Sequence, residues 1–279
     1  VWNKDMFRAA GLDPERPPVD WNELHMMAAK TTNAPQQYGF GFPATLEDES
    51  VMKFFINLYS IGGQILTDDN KRAAFNSPEG VQALEALIAM VRDGSTPTSI
   101  VSGKASDIDN GVFQGKFAMA SMTKAYGLAR DLIPGLTVEE YKNRFGVAPI
   151  PRAPNGVPST MAGGYLLTIP TGSKNKDLAW ELITLAGGSE LQFKYTAARG
   201  YVPTFTSLMA RGDDYAEVDP FFSVILEQLP SATFRPAIPE WTEISAEMQN
   251  AVQACVLGRY TPKQALEVAE AAVNRILAE

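Results

Sequence analysis

The chain has 279 residues, 45% of them hydrophobic and 20% charged, with 32 acids against 24 bases and a formal net charge of −8. Those proportions exclude a disordered chain, a coiled coil and a collagen-like chain, and at this size roughly three-quarters of the unfolded surface is buried on folding. The acidic balance and the lack of a Lys/Arg cluster argue against a nucleic-acid partner, and no apolar run approaches the ~18–20 residues of a spanning helix.

Val1 opens the chain without a signal-peptide pattern, so we expect a removed leader or a fragment of a longer chain. Asp20-Trp21-Asn22-Glu23 reads as a capping box, and Leu24, Met27 and Ala28 then line one helix face. Residues 38–42 predict a strand. Asp68-Asp69-Asn70 predicts a turn rather than a calcium loop, because the downstream glycine and glutamate are not in place. Ser77-Pro78-Glu79 starts a helix with Val81, Leu84, Ile88 and Val91 on its buried stripe, and Gly94 stops it. Asp107, Asp109 and Asn110 read as a helix start and its exposed face.

Short strands are predicted at 117–120, 145–148 and 165–169. Between the last two, residues 149–158 carry four prolines in ten positions and predict a crossing between lobes. Helices follow at 175–186 and 241–257, with Gly187 and Gly258 just past their ends. Thr261-Pro262 opens the last helix, whose buried stripe is Leu266, Ala269, Val273 and Ile276. Helices alternating with short strands predict an α/β fold with open sheets.

Catalytic patterns are scarce. The one histidine, His25, lies inside the first helix at no metal spacing and beside no nucleophile motif. The one cysteine, Cys255, excludes an intrachain disulfide and a cysteine-rich zinc site, and its apolar helical setting predicts an inert buried thiol. Gly39-Phe40-Gly41 is not followed by a third glycine opening a helix, so it is no dinucleotide fingerprint. No cofactor or metal is implied. Three loops do combine glycine, aromatic and arginine residues: Gly163-Gly164-Tyr165, Arg199-Gly200-Tyr201, and Phe234-Arg235-Pro236 leading to Trp241. Aromatic faces, planar donors and approachable backbone suit a sugar, although aromatics in loops also serve packing.

The segment Trp2-Asn3-Lys4-Asp5, Phe7, Ala10-Gly11-Leu12, Pro17-Pro18 and Trp21-Asn22-Glu23-Leu24 resembles the family 1 extracellular solute-binding proteins, which serve ATP-driven importers, chiefly of carbohydrates. Gly115-Lys116-Phe117-Ala118-Met119, Phe145-Gly146-Val147-Ala148-Pro149, Gly163-Gly164-Tyr165 and Gly258-Arg259-Tyr260-Thr261-Pro262 continue the resemblance in order along nearly the whole chain. It implies a two-lobe periplasmic-binding-protein-like fold of class II type, with ligand between the lobes and hinge closure instead of covalent chemistry. It also implies a periplasmic or extracytoplasmic location and permease subunits as partners, with membrane association only through them or a lipid anchor.

By resemblance, ligand contacts are expected from Gly163, Gly164, Tyr165, Tyr201 and Arg235, whose fork suits two hydroxyls or an anionic group, so the expected ligand is a sugar, an oligosaccharide or a glycerophospho-compound. Phe42, Thr45 and Glu47 match a loop that often carries ligand-stacking aromatics. Thr123 and Tyr126 stand where many members carry a cleft tryptophan, and Trp241 is either a ligand platform or a helix-packing residue. In the family the Asn-Lys-Asp segment follows roughly a hundred residues of first-lobe sequence, so the N-terminal lobe is expected to be incomplete. Residues 1–145 and 206–279 would form the second lobe and 146–205 a remnant of the first. The other readings are a carbohydrate-active enzyme with paired carboxylates in an aromatic cleft, and an interaction protein recognising a membrane partner. The chain alone is expected to self-associate through uncovered apolar surface.

Overall fold

A computed structural model describes residues 1–122, 125–216 and 219–279. Strand β1 (Trp2–Asn3) runs directly into helix α1 (Lys4–Ala9), because the Asn3 carboxamide caps it by accepting from the amides of Asp5 and Met6. Helix α2 (Trp21–Thr31) starts where the sequence predicts, with the Asp20 carboxylate accepting from Glu23 N at 2.9 Å. Strand β2 (Tyr38–Gly41) is followed by α3 (Asp48–Ser60) and α4 (Pro78–Arg92). Then come α5 (Ala105–Phe113), β3 (Phe117–Ala120), α6 (Ala125–Leu132), α7 (Val138–Arg144) and β4 (Phe145–Gly146).

These four strands make one sheet in the order β2-β3-β1-β4. Strands β2 and β3 are parallel and in register, Tyr38 opposite Phe117, while β1 is antiparallel to both β3 and β4. Helix α2 packs on β2 and β3, α5 packs on β3, and α3 and α4 pack on each other within the same core. Phe54, Phe55 and Leu58 of α3 are fully buried in that core, as are Phe7, Phe42 and Phe75. A second cluster joins Phe113, Tyr126, Tyr141 and Phe145, with Tyr126 and Tyr141 centroids 4.8 Å apart.

The proline-rich segment lies against the end of α3. Ser60 Oγ donates to Val157 O at 2.8 Å and accepts from Ala153 N at 2.9 Å, and Ser60 O accepts from Val157 N at 2.9 Å. Strand β5 (Thr160–Met161) follows, then α8 (Lys176–Ala186), α9 (Ser189–Arg199), α10 (Thr206–Met209), α11 (Gly212–Ala216) and α12 (Phe222–Gln228). Strand β6 (Ala232–Thr233) returns parallel to β5. Helices α13 (Trp241–Val256) and α14 (Pro262–Ile276) complete the main core.

The strand predicted at 165–169 does not form. Among the described residues, those at 165–169 have no partner strand, and without a ladder an extended segment gains no sheet hydrogen bonds. Leu166 is 87% exposed. The predicted 145–148 strand is shorter, ending at Gly146. Helix α8 has no buried residue, so its Leu178, Leu182 and Leu185 form an uncovered stripe. A third, small cluster stacks Tyr215 on Phe222 at 4.2 Å and includes Ala197 and Phe193. Among the described residues, no helix is long and apolar enough to cross a membrane.

A Cβ at Gly39 would stand 1.9 Å from Ala28 O, so Gly39→Ala forces α2 away from β2 and lowers stability by about 2–3 kcal/mol in urea unfolding. Burial pushes the Cys255 thiol up to about 12 despite the opposing influence of Arg92. Ellman's reagent at pH 8 is therefore expected to leave the folded chain unlabelled and to label the denatured chain fully.

Candidate ligand-binding site

In open α/β sheets, ligands collect outside the carboxyl ends of the parallel strands. Here β2 and β3 both finish at that edge, at Gly41 and Ala120. The chain after β2 passes through Phe42, Thr45 and Glu47 into α3. The chain after β3 reaches Ser121, whose backbone O and Oγ accept from Lys53 Nζ at 2.8 and 3.1 Å. Burial pushes the Lys53 ammonium below its ordinary range, against the raising influence of Asp109 and Glu49.

The paired strands β5 and β6 deliver two loops side by side, Gly163-Gly164-Tyr165 and Phe234-Arg235. The Arg235 guanidinium lies between them: it forms an ion pair with Asp48 in the first turn of α3, and Nη2 stands 3.7 Å from where a Cβ on Gly163 would be. Asp48 Oδ1 also accepts from Ser245 Oγ at 2.5 Å, and Ser245 Oγ accepts from Gln249 Nε2 at 3.0 Å. A polar chain thus runs from the glycine loop through Arg235 and Asp48 to α13. Gly200 caps α9 in the left-handed conformation, and Tyr201 N donates back to Thr196 O at 2.9 Å. That turn sets the Tyr201 ring 6.2 Å from Tyr165 and 5.8 Å from Tyr195.

The structure therefore brings Gly163, Tyr165, Tyr201 and Arg235 to neighbouring loops. Gly164 has open space where a side chain would stand. The other expected contacts separate. Phe42 is fully buried 6.2 Å from Phe40, because it prolongs β2 into the core, and so it offers no stacking face. Tyr126 is buried against Tyr141 under Arg130, on the inward face of α6. Thr45 is buried too; its hydroxyl donates to Glu47 at 3.2 Å and its carbonyl accepts from Ser50 Oγ at 2.6 Å. Glu47 accepts from Ala105 N at 2.6 Å, holding the start of α5. Trp241 is half-buried with its ring 5.8 Å from Phe55, which favours the packing role. Thr123 lies outside the described residues.

Sequence reasoning missed Asp48, Lys53 and Tyr195. Tyr195 stands six positions before Tyr201, and only the glycine turn between them brings the rings together. Asp48 and Arg235 are 187 residues apart, and nothing local links them. His25 pairs with Asp93 at 2.5 Å on an exposed surface, away from these loops. Among the described residues, no group of three or more His, Cys, Asp or Glu is placed to hold a metal ion.

Residues 1–193 match the model of the bacterial extracellular solute-binding protein family, and the chain belongs to that family, one of binding proteins rather than enzymes. A putative binding protein of Brucella abortus is 31% identical over 278 residues, which cover 99% of this chain and 64% of the relative. The sn-glycerol-3-phosphate-binding periplasmic protein of Salmonella typhimurium is 24% identical, again over 99% of this chain and 64% of its own length. The chain thus spans just under two-thirds of the length of these two relatives. Among solved structures, an ABC transporter solute-binding protein from Thermotoga lettingae TMO, bound with alpha-D-tagatose, superposes with a TM-score of 0.87 at 32% identity. The match covers 99% of this chain and 69% of that one. The fold is that of this periplasmic-binding-protein class.

The Arg235–Asp48 pair is testable without a ligand. Both groups are partly exposed, so a double-mutant cycle of Arg235→Ala and Asp48→Ala in urea unfolding should give a coupling of about 0.5–1 kcal/mol that shrinks in 1 M salt. Strict additivity of the two substitutions would show that the pair does not hold these loops together.

Proposed function

We propose that this chain is part of an extracytoplasmic receptor that delivers a carbohydrate, a sugar or an oligosaccharide, to the permease of an ABC importer. The observation that carries the reading is the convergence of the Gly163 loop, the Tyr165–Tyr201 ring pair and Arg235 at the exits of β5 and β6, opposite the start of α3. Aromatic faces, an approachable backbone and a planar donor are what a polyhydroxylated ring needs. The tagatose-bound structure supports the ligand class. The Salmonella typhimurium relative, named for sn-glycerol 3-phosphate, supplies the second class to test.

In this reading residues 1–145 and 206–279 belong to one lobe and 146–205 to the other. A ligand held by both lobes favours the closed arrangement because it binds that arrangement better, and no bond in the ligand changes. Closure presents the paired lobes to the permease outside the cytoplasmic membrane. The leucine stripe of α8 and the neighbouring Leu166 and Leu167 are then covered by further first-lobe sequence.

Intrinsic tryptophan fluorescence of the gene-encoded chain, titrated with neutral sugars, polyols and glycerophospho-compounds, should show a saturable change. A dissociation constant near micromolar, about 8 kcal/mol of binding free energy, is expected for one class of them. A folded protein that responds to none would overturn the reading. The 279-residue chain by itself should self-associate in light scattering, and Leu182→Glu with Leu185→Lys should return it to a monomer. A monodisperse unsubstituted chain would show that the stripe needs no cover.

A further inference from the structure

The charges around Arg235 narrow the ligand further. We infer that Asp48 is a specificity-determining residue: by pairing with Arg235 it makes the site select neutral polyhydroxylated ligands and reject phosphorylated or acidic ones. The inference rests on the carbohydrate-binding reading above.

A lone arginine in a cleft is an anion site, because its fork matches a carboxylate or a phosphate. Arg235 is not alone. Its Nη1 is committed to Asp48 Oδ2, and the same carboxylate is held from its other side by Ser245 Oγ at 2.5 Å. The second cation at this edge is committed as well, since Lys53 Nζ donates to Ser121 O and Oγ. The start of α3 attracts negative charge through its dipole, but Asp48 and Glu49 already occupy that first turn and Glu47 precedes it. Among the described side chains here, an incoming phosphate therefore meets two cations already engaged, Arg235 and Lys53, and three carboxylates at the start of α3.

A hydroxyl meets the opposite situation. The guanidinium keeps N–H donors beyond the one given to Asp48, and the carboxylate keeps lone pairs beyond those facing Arg235 and Ser245. Donor and acceptor side by side suit a group that both accepts and donates, and neighbouring hydroxyls of a sugar or polyol are such groups. A phosphate dianion can only accept. The Tyr165–Tyr201 pair adds apolar ring faces, which suit the C–H side of the same ligand.

The test is a ratio. Dissociation constants of the gene-encoded chain are measured for neutral sugars and polyols, and for the phosphorylated or uronic-acid form of each. The wild type should prefer the neutral form at least tenfold. Asp48→Asn frees Arg235 and removes one carboxylate, and should narrow that preference at least fivefold. Glu49→Gln, an exposed change on the same turn, should narrow it about twofold. Glu267→Gln, exposed on α14, removes the same charge at a distance and should leave the ratio unchanged.

A wild type that binds the anionic form as tightly as the neutral one overturns the inference and leaves the carbohydrate-binding reading standing. So does a folded Asp48→Asn variant with an unchanged ratio, its fold being checked by circular dichroism. Should that variant melt below the assay temperature, an unchanged ratio in Glu49→Gln overturns the inference by itself. A folded wild type that binds neither class overturns the carbohydrate-binding reading, and the selectivity with it.

Discussion

Helix α3 has no idle face, and the rest of the molecule is arranged around that constraint. Phe54, Phe55 and Leu58 are fully buried between the sheet, α4 and α13. Its C-terminal Ser60 makes three hydrogen bonds to the proline-rich crossing. Its first turn carries Asp48, the partner of Arg235, and its middle carries Lys53, the partner of Ser121. One rigid rod of about 20 Å therefore spans from the candidate site to the crossing. Its position is over-determined by packing that contains no ligand group, so the Asp48 side of the candidate site inherits its geometry from the core while the facing loops carry the rest.

Local features of the fold were legible in the sequence because local interactions produce them. The caps by Asp20, Ser77 and Thr261 each join residues three apart and each forms, but the capping box read at Asp20 closes on one side only, because the Glu23 carboxylate accepts from Val19 N instead of Asp20 N. Of the stripe Leu266, Ala269, Val273 and Ile276, the first three are buried as their spacing requires and Ile276, at the helix end, is half-buried. The 165–169 segment shows the limit of the same logic. Its apolar run has strand character, but strand formation needs a neighbour, and no neighbour stands there. Composition describes a segment's preference; pairing decides whether the preference is realised.

The candidate site was legible in its glycine and aromatic loops and illegible in its charges. Gly163, Tyr201 and Arg235 follow from a resemblance that preserves loop positions. Phe42 and Tyr126 hold positions that suggest a cleft, yet the core takes them, because a large apolar ring gains more from full burial than from an exposed edge. The pairing of Arg235 with Asp48 depends on the return of β6 beside β5 and on the seat of α3, and no sequence window contains both.

The anchoring of the proline-rich segment has a mechanical consequence. Ser60 grips Ala153 and Val157, and Gly156 packs so close to Ser60 O, 2.5 Å from its notional Cβ, that no larger residue fits. The first residues past this grip, Thr160 and Met161, are tied to β6 by a ladder only two residues long. In the closure proposed above, a short ladder beside a firm grip would serve as the fulcrum. When everything beyond it tilts, displacement grows with distance from the pivot. In such a closure Gly163 would move least and the far end of α8 would sweep furthest. Small adjustments at the glycine loop and large excursions at the rim would then be one motion seen at two radii.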